Sequence, residues 1–138
     1  MKVKLISLLL LLVFSLPVAA EVKLDMVLTT EGLDKRGEPV TVKRNFSLKE
    51  EQGVQFYAAW NEDNETHDVA VRWFGPQNKL INFLYLANFS ETVVRDYISF
   101  EQETVTQYFL PQQSGKYSIQ LYLDHRLVSV TNFYVDRN

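Results

Sequence analysis

The sequence predicts an all-β fold, an antiparallel β-sandwich of about seven to nine strands closed by a C-terminal hairpin. Three observations carry that expectation. Apolar and polar residues alternate over many short runs, the period of a strand with one buried face. Clusters of Gly, Pro, Asn and Asp punctuate those runs about every ten residues, with no convincing stripe of 3.6-residue period between them. The clearest run closes the chain: in GKYSIQLYLDHRLVSVTNFYV (115–135), Tyr117, Ile119, Leu121 and Leu123 alternate with Ser118, Gln120, Tyr122 and Asp124.

Taken in order, Val22, Leu24, Met26 and Leu28 mark a first strand with one wet face. The charged, glycine-bearing run EGLDKRGE (31–38) reads as a loop. Pro39 to Leu48 is a second extended stretch with Val40, Val42 and Phe46 on its apolar side, and Pro39 suits a strand start or edge. After the turn KEEQG, Val54, Phe56, Ala58 and Trp60 form a third strand. The polar loop NEDNETHD (61–68) leads to a fourth, with Val69, Val71 and Trp73, which stops at Gly75-Pro76. Leu80 to Leu86, LINFLYL, is a fifth run, apolar on both faces. Thr92 to Phe100 and Thr104 to Leu110 are two weaker strands; before the first, Ser90 could instead cap a short helix carrying Val93, Val94 and Tyr97.

If Asp124 and His125 form a two-residue loop, Leu121 faces Val128 and Ile119 faces Val130. His125 then stands where such loops favour glycine, and a longer turn including Arg126 is the alternative. Between Val130 and Phe133 the apolar parity slips, which predicts a bulge near Thr131 or Asn132.

The first twenty residues read as a removable export signal. Lys2 and Lys4 precede an apolar run from Leu5 to Phe14, short of the ~20 residues needed to span a bilayer, and Val18-Ala19-Ala20 offers small residues to a signal peptidase. Cleavage before Glu21 leaves 21–138 as a single domain, periplasmic or secreted, with no further membrane span expected. Losing the two signal lysines leaves twelve basic against seventeen acidic residues, a net charge of −5. With the lysines and arginines dispersed, that balance argues against nucleic acid as a partner, because phosphate neutralisation needs a basic patch. The chain has no cysteine, hence no disulfide staple, no thiolate nucleophile and no lipid attachment at the mature N-terminus. Its core alone must hold it together. No internal repeat or linker divides it.

The strand ending in Trp60, the run VAVRWFGP (69–76) and the close GKYSIQLYLDHRLVSVTNFYV (115–135) together resemble immunoglobulin-like β-sandwich modules of exported bacterial proteins. In many of those, a strand ends in an aromatic-Gly-Pro turn, and a GKW or GKY strand is followed by a short turn and a strand ending F-x-V. This chain departs from the pattern in lacking glycine at the hairpin tip and the cysteine pair of antibody domains. The resemblance implies architecture; such modules bind proteins, bind sugars or act as spacers.

The residues offer little chemistry. Nucleophilic catalysis needs an oriented base, usually a histidine, and His67 and His125 both fall at loop edges among charges, where solvated side chains are expected. The paired carboxylates Glu50-Glu51, Glu62-Asp63 and Glu101-Glu103 lie outside the apolar surroundings that raise a pKa. NEDNETHD has oxygen ligands enough for Ca²⁺ but no glycine at a sharp turn, and common turn residues explain it. Asn45-Phe46-Ser47, Asn64-Glu65-Thr66 and Asn88-Phe89-Ser90 match glycosylation acceptors by coincidence in a chain whose signal looks bacterial. No catalytic, metal or cofactor residue is assigned.

One feature exceeds a plain scaffold. In LINFLYL, Leu80, Leu84 and Leu86 serve one face and Ile81, Phe83 and Tyr85 the other, so one face buries and the other needs a cover. Folding of Thr92 to Phe100 over it is the commoner solution, since large bare patches are rare on monomers; the other is a partner. Together with the export signal and the missing catalytic constellation, that surplus face makes protein contact through Ile81, Phe83 and Tyr85, with an envelope or secreted protein, the expected function. The alternative is a small-ligand or carbohydrate-binding module in which Trp60 or Trp73 stacks on a ring.

Overall fold

The computed structural model describes residues 22–100 and 113–138. Among the described residues nine strands run in chain order: β1 (Leu24–Leu33), β2 (Pro39–Val42), β3 (Asn45–Ser47), β4 (Gly53–Trp60), β5 (His67–Phe74), β6 (Leu80–Phe89), β7 (Val93–Ser99), β8 (Gly115–Leu123) and β9 (Arg126–Asp136). A 3₁₀ turn, Pro76–Asn78, links β5 to β6. The strands form a four-stranded sheet ordered β2-β1-β4-β7 and a five-stranded sheet ordered β3-β9-β8-β5-β6. Every pairing is antiparallel except that of β3 with β9.

Period-two alternation places the core between the sheets. Val54, Phe56, Ala58 and Trp60 of β4 and Val94 and Ile98 of β7 face Val69, Val71 and Trp73 of β5, Tyr117, Ile119, Leu121 and Leu123 of β8, and Phe133 and Val135 of β9; all are buried. Aromatic edges lock the layers together: Trp73 meets Phe56 at 6.4 Å and Phe133 at 5.8 Å between ring centroids, both steeply inclined. Tyr117 stacks on Phe133 at 5.1 Å. Such pairs add to the burial of the rings themselves.

Several expectations need correction, each because a bulge or a sheet switch changes parity. In β1 the pairing skips Asp25, so Val27 and Thr29 turn inward while Met26 becomes exposed. The stretch 39–48 is two strands in different sheets, with Lys43–Arg44 as the crossing; the Lys43 amide donates to Thr29 and the Tyr134 amide to Arg44. Residues 92–100 contain the strand β7 and no helix, and β7 pairs with β4 in the four-stranded sheet, so it does not fold over the outer face of β6. Thr104 to Leu110 lies outside the described residues.

The closing hairpin has the two-residue loop, with positive φ at both Asp124 (51°) and His125 (67°). Its bulge, however, falls at Val128: Tyr122 pairs with Leu127 and Leu121 with Ser129. Leu121 and Ile119 therefore face Ser129 and Thr131, and Val128 and Val130 are exposed. The inward set Thr131, Phe133 and Val135 fixes the parity of β9 from its far end. Because glycine adopts positive φ without the steric cost other residues meet, His125→Gly is expected to stabilise the domain by about 0.5 kcal/mol, less than the full relief because glycine loses more chain entropy on folding. Thermal unfolding followed by circular dichroism would register it as a small rise in Tm.

Candidate functional site

The two outer faces of the sandwich are treated differently. Over the four-stranded sheet the loop 34–38 closes down: the Arg95 guanidinium lies 5.3 Å from the Tyr57 ring and its Nε donates to the Gly37 carbonyl at 2.9 Å. The Tyr57 hydroxyl donates to Glu38 Oε2 at 3.2 Å. Tyr57 is 4% exposed as a result. Burial and the Glu38 carboxylate push its phenol above the ordinary value.

The outer face of the five-stranded sheet has no such cover among the described residues. Cross-strand partners share a face, so the register assembles it. Arg72 pairs with Phe83 and Gln120, Ala70 with Tyr85 and Tyr122, Tyr122 with Leu127, Gln120 with Val130, and Lys116 with Tyr134. Phe83 (49%), Tyr85 (46%), Leu127 (49%), Val130 (52%) and Tyr134 (47%) are all about half exposed. Arg72 sits at the centre, its guanidinium 5.6 Å from the Phe83 ring and 5.1 Å from the Tyr122 ring. Such cation–π contacts draw the three side chains together. The arrangement is an aromatic surface with Arg72 at its centre and Lys116 toward one end, on a chain whose net charge is negative.

Ile81 does not belong to this face. Trp73 pairs with Asn82 and Phe74 with Leu80, so Ile81 is an extra residue, turned by its bulge to pack against the core with Leu84, Leu86 and Phe89. Trp60 and Trp73 are 3% and 0% exposed, which removes both rings from any sugar-stacking role.

Two polar arrangements escaped the sequence reading. At one end of the sandwich His67 is buried, against the expectation of a solvated side chain. Its Nδ1 is 2.6 Å from Asp124 Oδ2 and its Nε2 is 2.7 Å from Asp63 Oδ2. The Asp124 hydrogen bond above all, then that of Asp63, raises the His67 pKa against the opposing effect of burial. Burial works against ionisation of Asp63 and Asp124 as well, but the His67 bonds and backbone amides hold both below the usual carboxylate range. The loop 61–66 is thereby tied to the β8–β9 turn. Asp124 Oδ1 also accepts the Asp68 amide at 3.0 Å, and Asp68 accepts the Asn88 amide at 3.0 Å. With both ring nitrogens engaged, the imidazole has none left to exchange a proton with a substrate. No group of metal ligands occurs among the described residues, and Glu62 and Asp63 accept the amides of Asn64 and Glu65 instead.

The second arrangement lies in the core. Asp96 of β7 occupies the inward register between Val94 and Ile98, where its Oδ2 accepts Trp73 Nε1–H at 2.7 Å and its Oδ1 the Tyr97 amide at 3.1 Å. Burial raises its pKa despite those two donors. A signal existed: Val94, Asp96 and Ile98 share one parity. His67 had no equivalent, because Asp124 is 57 residues away.

The two sheets, their Greek-key order and the parallel β3–β9 edge define an immunoglobulin-like β-sandwich. Among solved structures the chain is similar to an immunoglobulin-like protein from Pseudomonas aeruginosa, at 12% identity over 87% of this chain and 100% of that one, with a TM-score of 0.52. It is also matched, at 12% identity and a TM-score of 0.46, to an alkylpurine DNA glycosylase from Pseudomonas fluorescens bound to DNA containing an abasic site analogue; 86% of this chain corresponds to 31% of that one. No family model and no curated protein sequence matches the chain.

Proposed function

We propose that this chain is an exported, non-enzymatic immunoglobulin-like module that works by contact with another protein of the cell envelope or the secreted space. The single observation that carries the reading is the outer face of the five-stranded sheet, which no described segment covers, built on Phe83 and Tyr85 and extended by Tyr122, Leu127, Val130 and Tyr134. Exposed apolar area of this extent, with aromatic residues and an arginine at its centre, has the composition of an interface core. On the opposite sheet the central Tyr57 lies under a loop, while Met26 and Tyr97 stay exposed beside it. A non-enzymatic role agrees with a histidine whose two nitrogens are both occupied. Export rests on the apolar leader Leu5 to Phe14 and the small residues before Glu21.

The test is a crosslinked pull-down from the native envelope fraction with tagged residues 21–138. The double variant Phe83→Ser/Tyr85→Ser should keep its fold by circular dichroism, because both side chains stand on the solvent side, and should lose at least ~10-fold of the captured partner, the loss expected when two central aromatic anchors are truncated. Equal capture by both proteins would place the contact elsewhere.

A further inference from the structure

Of the four sheet edges among the described strands, three carry devices that discourage pairing with another chain. β2 is four residues long, opens on Pro39 and bends at Thr41, whose φ is 41°. β3 has only three residues. β7 contains Arg95 and the inward-pointing Asp96. Short length, proline, surface charge and inward charge are the means by which sheets protect their edges. β6 has none of them: LINFLYLANF runs ten residues without a charge, proline or glycine, and no described strand pairs with its outer side. Irregularities bound its regular part, the Ile81 bulge at one end and Asn88, at φ 51°, at the other. Asn82 to Leu86 is left as an open window centred on Leu84.

We infer that this edge pairs with the same edge of a second copy, antiparallel about a two-fold axis at Leu84, so that one ten-stranded sheet runs through both molecules. The window is self-complementary. Phe83 stands opposite Tyr85 of the second copy, and Tyr85 opposite its Phe83, giving two aromatic cross-strand pairs on the outer face. Each copy is net acidic, and an uncharged strand is where two such copies meet without like charges in contact. With a single open edge per molecule among the described strands, the contact is isologous and closes at two copies, where two open edges would build a fibre. The dimer also joins the two aromatic faces into one continuous surface, which extends the contact reading without depending on it.

The natural chain has no cysteine, so introduced ones report the register. Directly opposed side chains have Cβ atoms about 5 Å apart, close to disulfide range, and diagonal ones about 7–8 Å. On mild oxidation, Phe83→Cys mixed with Tyr85→Cys should crosslink at least ~5-fold more than either variant alone, because only the mixture places cysteines directly opposite one another. Sedimentation velocity of unmodified 21–138 should show a concentration-dependent rise to twice the monomer mass. A monomer at every concentration, or crosslinking no greater in the mixture, overturns the dimer. A monomer that still captures an envelope protein through Phe83 and Tyr85 removes the dimer and leaves the contact reading intact. A dimer of the stated register that captures nothing upholds the dimer and removes the contact reading.

Discussion

Trp73→Phe is expected to cost about 3 kcal/mol, the sum of a smaller ring in a close-packed site and a largely buried carboxylate that loses one of its two donors. Trp73 is fully buried and touches both Phe56 and Phe133, so any loss of ring volume is felt across the two sheets. Asp96 then keeps only the Tyr97 amide. The pH dependence separates the two contributions. Burial raises the folded pKa of Asp96 above its unfolded value, so the folded state binds the proton more tightly and stability falls as pH rises between the two values. Removing the indole N–H, which favours the charged form, widens that interval. The penalty of Trp73→Phe should therefore be smallest in acid and grow toward neutral pH, measured by urea denaturation at several pH values. Asp96→Leu in the Trp73→Phe background should recover part of the loss, because two apolar partners replace a carboxylate left with a single donor. Trp60→Phe is the control: the Trp60 indole N–H has no hydrogen-bond partner among the described residues, so that change breaks no hydrogen bond and leaves no acceptor without a donor.

His67→Ala should cost about 1–3 kcal/mol, the loss of two charge-assisted hydrogen bonds, discounted because Asp124 is half exposed and water screens it. Removing the imidazole also leaves Asp63 and Asp124 facing one another across the gap. The sign follows from the three shifts. His67 is raised, so its contribution is complete below its unfolded pKa of about 6.5 and disappears as pH rises through the folded value. Asp63 and Asp124 are lowered, so theirs is complete above about 3.8 and disappears as pH falls through their folded values. The difference between wild type and His67→Ala should be greatest between about pH 4 and 6.5 and shrink on either side. A difference that does not vary with pH would mean that His67 acts through its volume and not its charge.

The sandwich was legible because period-two alternation survives in β4, β5 and β8, where neither face is interrupted. It failed where an extra residue reverses parity, at Asp25, Ile81 and Val128. A bulge changes which side a residue faces without changing which residues are present, and only the fixed inner end of a strand, such as Phe133 and Val135 in β9, reveals its place. The aromatic face was half legible. Phe83 and Tyr85 stood out as surplus to one buried face, yet Tyr122, Leu127, Val130 and Tyr134 join them only through strand order, which brings β9, β8, β5 and β6 side by side. Whether a segment covers that face is also a matter of topology, and β7 entered the other sheet. The His67 clamp depends on closure of the hairpin tip over the 61–66 loop, a long-range event that no local pattern records.

The most direct test of the contact surface is covalent footprinting of aromatic side chains in 21–138, alone and after incubation with the native envelope fraction. Tyr97, 44% exposed on the opposite sheet, serves as internal reference. Contact through the five-stranded sheet predicts that Phe83, Tyr85 and Tyr134 lose reactivity in the bound sample while Tyr97 keeps its own. Protection of Tyr97, with Phe83 and Tyr85 as reactive as in the isolated chain, would contradict it and move the partner to the other face.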